Sequence, residues 1–267
     1  MKIVYIILGS ILVAAMTTSA LADFSYPDFT SSNGLNLVGN ASVYSDRLRV
    51  TSASSYQTGA AWYTAKQSIE SGFSTTFQFQ ITNVYGGDGF AFVIQNHSLT
   101  AMGGLGGLLG YGGDPELYPH LGEGIPSSLA VEFDMPINPE FGDPVNNHIS
   151  VQTRGDLPNS PRHIYSLGET SNISTMADGA LHLVRLEYNP GLLNIYFDGS
   201  NVLNISMDIS STLSLDEGSA WVGFTGATGS AYENHDIVNW SYTETPEPAT
   251  LLLLGLGGLL LRKRSKA

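Results

Sequence analysis

A chain of 267 residues with 24 acidic against 11 basic side chains carries a formal charge of −13. That balance argues against nucleic acid and anionic lipid as partners, because both call for a positive surface. The chain has no cysteine, so it does without disulfides, and at this length a hydrophobic core suffices.

Residues 1–22 read as a secretory signal. Lys2 supplies the positive charge, residues 3–16 the apolar core, and Ala20-Leu21-Ala22 a small-x-small cleavage site, so the exported chain is expected to begin at Asp23. Short strand-like runs follow, the first at residues 59–63. Residues 73–81, FSTTFQFQI, put Phe73, Thr75, Phe77, Phe79 and Ile81 on one face and polar side chains on the other, the pattern of a half-buried strand. Residues 89–94 are apolar throughout and predict a strand covered on both faces. Residues 100–124 contain GGLGGLLGYGG, a stretch too long and glycine-rich to be a simple turn and of the kind on which binding usually resides.

Residues 132–148, EFDMPINPEFGDPVNNH, hold five groups that bind hard or borderline cations: Glu132, Asp134, Asn138, Asp143 and His148. The segment leaves a strand predicted at residues 128–134, where Glu132 and Asp134 project to the same side. It then crosses Pro136, Pro139, Gly142 and Pro144, which stiffen a loop without donating to a ladder. A second strand, HISVQT, starts at His148. Carboxylate and amide oxygens favour Ca²⁺, and the single imidazole favours a transition metal such as Mn²⁺.

Residues 181–188, 192–198 and 202–207 predict a meander turned at Pro190-Gly191 and Asp198-Gly199. The last strands are expected at residues 220–225 and 237–242. Regular short strands without a long amphipathic helix indicate a single all-β domain, an antiparallel β-sandwich, over residues 23–245. The remaining histidines, His97, His120, His163, His182 and His235, read as surface or core residues.

Residues 246–267 have a different character. Pro246-Glu247-Pro248 precedes a Leu- and Gly-rich run at 249–261 and then Arg262-Lys263-Arg264-Ser265-Lys266. As a helix the run would span about 20 Å, short of the ~30 Å hydrocarbon core, but a basic tail still resists translocation. Within residues 23–248 six basic residues face all 24 acidic ones, a formal charge of −18. The three parts in this order resemble the PEP-CTERM sorting signal of Gram-negative bacteria. That resemblance implies transient anchoring in the inner membrane, processing by an exosortase-type enzyme, and delivery to the cell surface or beyond. A plain membrane anchor is the alternative.

The spacing Glu-x-Asp-x3-Asn-x4-Asp-Pro-x3-His of residues 132–148 resembles the metal loop of the legume-type (L-type) lectins. Likeness to that family extends from about Phe24 to Tyr242 and includes FSTTFQF and VGFTGATGSAYENHDIVNWSY. The resemblance implies a concanavalin-like jelly roll that binds carbohydrate without catalysis. It places Glu132, Asp134, Asp143 and His148 on Mn²⁺ or another transition metal. Asp134, Asn138, Asp143 and the backbone carbonyl of Pro136 would hold Ca²⁺, the two aspartates bridging both ions. On the same resemblance Asp88, after a cis Gly87–Asp88 peptide, accepts hydrogen bonds from two sugar hydroxyls. Asn138 donates its amide to one of them, the Gly107 N–H reaches the sugar, and Ser230 and Ala231 tune which monosaccharide fits.

One departure stands out. Pro136 occupies the position where the family usually carries an aromatic ring for the sugar to stack on, which leaves Ile137 or Tyr232 to compensate. Two other functions were weighed against a lectin. A glycoside hydrolase of the same fold would carry a Glu-x-Asp-x-Glu strand motif, but Met135 and Pro136 stand where the second glutamate should come after Glu132-x-Asp134. A structural or adhesive protein of an extracellular matrix or biofilm would need only a degenerate sugar site. A glycan or exopolysaccharide is thus the expected partner, with the chain acting alone or as a homo-oligomer.

Overall fold

The computed structural model describes residues 23–245; the expected signal at 1–22 and sorting segment at 246–267 lie outside the described residues. The chain opens with β1 (Phe24–Tyr26), β2 (Leu35–Gly39), β3 (Ser42–Tyr44), β4 (Arg47–Thr51), β5 (Thr58–Tyr63) and β6 (Gln67–Ser68). Then come β7 (Phe73–Thr82), β8 (Gly89–Gln95), β9 (Ser128–Asp134), β10 (His148–Thr153) and β11 (Ser166–Thr170). The meander is β12 (Leu181–Asn189), β13 (Gly191–Phe197) and β14 (Ser200–Met207), and α1 (Ile209–Thr212), β15 (Ser219–Ala227) and β16 (Asn234–Glu244) complete it. Among the described residues no helix is long and apolar enough to cross a membrane.

Two eight-stranded antiparallel sheets form a sandwich. The back sheet runs β14-β13-β12-β7-β16-β4-β3, with β1 also paired to β16; the front sheet runs β11-β10-β9-β8-β15-β5-β2, with β6 paired to β15. Strand β7 alternates buried and half-exposed residues along its whole length, which sends Phe77 and Phe79 inward. They meet Phe90, Phe92, Phe133 and Phe224 of the front sheet. Phe77 contacts Phe224 edge-on at 4.9 Å, and Phe90 stacks on Phe133 at 4.8 Å, offset and edge-on geometries that suit the ring quadrupole. Thr75 sits buried in this apolar stripe because its hydroxyl donates to the Ser241 carbonyl (2.8 Å) and accepts from the Trp240 indole (2.9 Å), so no polar atom is stranded.

The front sheet is buried on both faces. Strands β8, β9 and β10 have no exposed residue, because a second apolar layer covers the outer side. Ala60, Trp62, Ala91, Val93 and Ala130 of the sheet pack against Ala101, Leu109, Tyr111 and Ile125. Much of the glycine-rich segment, residues 103–114, is therefore a packed third layer, while residues 115–123 are largely exposed. A Cβ on Gly113 would fall 2.2 Å from the Gly124 nitrogen, so glycine serves here to let backbone approach backbone.

The strands predicted at 59–63, 73–81, 89–94, 128–134 and 148–153, the meander and the two final strands all form, with ends shifted by a few residues. Strands β1 to β3, β6 and β11 carry no strong alternation, being short or half-exposed, whereas the unpredicted β4 alternates Arg47 and Arg49 with buried Leu48 and Val50. The register of their neighbours recruits them.

Candidate functional site

The site lies where β8, β9 and β10 end together. In the β9–β10 ladder His148 stands opposite Asp134 and Ser150 opposite Glu132. In the β8–β9 ladder Gly89 faces Asp134, which brings Asp88 alongside. The Met135 N–H donates to the Asp88 carbonyl (3.2 Å) and the Asn147 N–H to the Met135 carbonyl (2.8 Å). Within the loop, the Ile137 N–H donates to Asn146 Oδ1 (2.6 Å) and the Asn138 N–H to Asp143 Oδ2 (2.8 Å). With three prolines contributing no N–H, these bonds hold the loop in one shape.

One donor atom each from Asp134, Asp143 and His148 lie within 4.8 Å of one another. Oδ1 of Asp134, Nδ1 of His148, Oδ1 of Asn138 and Oδ2 of Asp88 are all buried without a hydrogen-bond partner. Buried polar atoms are nearly always satisfied, so four unpaired lone-pair donors at one end of a sheet describe a cradle for cations. Glu132 stands two register positions inward, outside this trio. Its Oε1 accepts from the Tyr111 hydroxyl and its Oε2 from the Ser150 hydroxyl and from Gln152 Nε2.

The electrostatics point the same way. Burial pushes Glu132 up to about 7 and Asp88 and Asp143 to about 6. Asp134 is driven well above the usual carboxylate range by burial and then by Glu132, Asp143 and Asp88. Burial lowers His148, keeping the imidazole neutral and able to ligate. Among the described residues none of the four carboxylates forms a salt bridge. Several carboxylates desolvated together are costly unless a cation joins them, and the oxygen-rich set with one imidazole fits a hard ion beside a borderline one.

Glycine backbone closes on Asp88 and Asn138 beside this cradle, where the resemblance places the sugar pocket. The Gly87–Asp88 peptide is cis, as the resemblance implies. Gly107 belongs to a 3-10 turn, Gly106–Leu108, and a Cβ there would fall 2.9 Å from Asn138 Nδ2. Gly229 approaches Asp88 from the other side, its imagined Cβ 3.1 Å from Oδ2. Ser230 is exposed and Ala231 half-buried beside it. The Pro136 ring lies against Gly87, with Cγ 2.9 Å from where a Cβ would stand.

The sequence alone did not single out Gly229, Tyr111 or the pair Glu233–His235. The last two are fully buried behind Asp88, with His235 Nε2 3.2 Å from Glu233 Oε1 and Nδ1 2.5 Å from Thr51 Oγ1. The spacing Glu-x-His at the start of the last strand was their only visible signal.

The legume lectin domain family matches residues 21–252, and the PEP-CTERM protein-sorting motif matches residues 244–265. The chain is 28% identical to the L-type lectin-domain containing receptor kinase VII.1 of Arabidopsis thaliana, over 99% of this chain and 41% of that protein. It thus spans about two fifths of the length of this curated relative. Among solved structures, the lectin from Bauhinia forficata in complex with GalNAc superposes with a TM-score of 0.68 and 27% identity, over 84% of this chain and 99% of that one. The metal-free lectin I-B4 from Griffonia simplicifolia has the same fold, with a TM-score of 0.68 and 22% identity over 84% and 100% of the two chains.

Proposed function

The chain belongs to the legume lectin domain family, and on that premise we propose that it is an exported, non-catalytic protein that binds carbohydrate through a metal-dependent site. Asp134, Asp143 and His148, with Glu132 behind them, hold a transition metal such as Mn²⁺. Asp134, Asn138, Asp143 and the Pro136 carbonyl hold Ca²⁺. The ions do no chemistry on the sugar; they neutralise the buried carboxylates and fix the loop.

With the loop fixed, Asp88 accepts from sugar hydroxyls, the Asn138 amide donates to one of them, and the Gly107 N–H reaches the sugar through space that a side chain would fill. Ser230 and Ala231 border the pocket. The single observation that carries this reading is the group of four buried, unpaired acceptors on Asp88, Asp134, Asn138 and His148. The sorting motif supports export and exosortase processing in a Gram-negative host.

A glycan array probed with the protein in calcium and again in EDTA tests the proposal. Retention that EDTA abolishes and that Asp88→Asn removes is the expected result. Absence of retention on every glycan would leave the second reading, an adhesive matrix protein, which the replacement of an aromatic by Pro136 favours.

A further inference from the structure

Beside the pocket the structure holds two stacked tyrosines. Tyr85 and Tyr232 lie 5.0 Å apart, centroid to centroid, at an interplanar angle of 23°. Their backbones are tied as well, the Tyr85 N–H donating to the Tyr232 carbonyl at 2.8 Å. Tyr85 is 68% exposed, so with one face on Tyr232 its other face is open to water. Exposed Tyr44, by contrast, is already capped by the Arg49 guanidinium, 3.9 Å from its ring centroid.

The pair belongs to the same walls as the pocket. Tyr232 follows Ala231, and the position of a Cβ on Gly86 would lie 4.0 Å from the Ala231 Cβ. Three Cα steps, one of them cis, separate Tyr85 from Asp88, a reach of at most about 10 Å. A ring bound at Asp88 would leave the tyrosines within range of its neighbour in a glycosidic chain. Pro136, packed on Gly87, presents no π face to the first ring.

Resting on the carbohydrate-binding reading above, we infer that Tyr85, backed by Tyr232, is a stacking platform for a second pyranose, so that the site takes a sugar chain in preference to a single sugar. The negative face of a tyrosine ring suits the C–H-bearing face of a pyranose. The stack and the backbone bond hold the platform in place before binding, which lowers the ordering cost.

The test uses the calcium-loaded protein in titration calorimetry, with methyl glycosides of mannose, galactose, glucose and N-acetylgalactosamine and a homologous trisaccharide of each. At least one trisaccharide is expected to bind tenfold or more tightly than its methyl glycoside. Tyr85→Ala should erase that increment and leave the methyl glycoside within twofold, while Tyr85→Phe should keep it. Equal affinity for both lengths, an increment that survives Tyr85→Ala, or trisaccharide binding that survives Asp88→Asn would overturn the platform and leave the lectin reading standing. No binding of any of these sugars in calcium would overturn that reading and the platform with it.

Discussion

Two clusters in this molecule set a buried histidine among carboxylates and end in opposite states, the first with exposed carboxylates and the second with mostly buried ones. At the start of β12, an interior strand of the back sheet, His182 is held between two carboxylates, Nδ1 2.9 Å from Asp198 and Nε2 3.2 Å from Asp178. Its ring lies between Phe79 and Phe197. Asp198, exposed at its surface side, stays below the usual carboxylate range, because hydrogen bonds from His182 and the Leu183 N–H outweigh its partial desolvation. Asp178 is lowered by the Ala180 N–H and then by His182. At the end of the front sheet, His148 and Asp134 face each other across a ladder, yet each keeps a buried atom without a partner, and the carboxylates are pushed up instead of down. The first cluster is complete within the chain and reads as structural. The second is complete only with something added, and its donor set asks for cations.

The contrast breaks most sharply at Asp134. Asp134→Ala should abolish calcium uptake in titration calorimetry and with it the stabilisation that the ion brings, which is on the order of 3 kcal/mol at a hundredfold excess over the dissociation constant. A calcium-dependent melting rise that persisted in this variant would place the ion elsewhere.

Acidity separates the clusters next. Asp88, Asp143 and Glu132 have folded-state values above their ordinary ones, so the native state binds their protons more tightly than the unfolded chain does. Stability of the protein in EDTA should therefore fall as pH rises from about 4 to about 7. The rise of Asp88 from 3.8 to about 6 alone corresponds to on the order of 3 kcal/mol. Below pH 4 the trend reverses, because Asp198 and Asp114 are depressed and lose their stabilisation on protonation. Calorimetric scans across this range, with calcium and with EDTA, check both limbs, and calcium should remove the fall between pH 4 and 7.

His182→Gln tests the complete cluster. It should destabilise the fold by about 2 kcal/mol, equally in calcium and in EDTA, with calcium affinity unchanged. A loss confined to one condition would couple the two clusters. The smallest effect is expected at Gly107→Ala, where the added methyl would displace the Asn138 amide. Sugar affinity on a glycan column should drop about tenfold, or 1.4 kcal/mol, and calcium affinity should weaken with it because Asn138 is also a proposed calcium ligand, while the melting point in EDTA moves little.

Much of this was legible in the sequence where the information is local. The metal loop is a continuous run, so the spacing of Glu132, Asp134, Asn138, Asp143 and His148 could be read directly, and the alternation of residues 73–81 fixed which phenylalanines face inward. Strands β1 to β3 were not legible, because a short half-exposed strand has little pattern of its own and forms through pairing. Nor was the fate of residues 100–124, whose glycines at 103–114 let backbone pack on backbone in a layer over the sheet.

The sequence by itself determined the two-sheet fold, the acidic charge and the identity of the candidate ligands, since hydrophobic period and residue spacing are properties of neighbouring positions. Only the tertiary structure decided that Tyr111 and Ser150 engage Glu132, that Gly107 and Gly229 close on Asn138 and Asp88, and that Tyr85 stacks on Tyr232. Those contacts join residues 18 to 147 positions apart, and no local pattern records which distant backbone will arrive beside a given side chain.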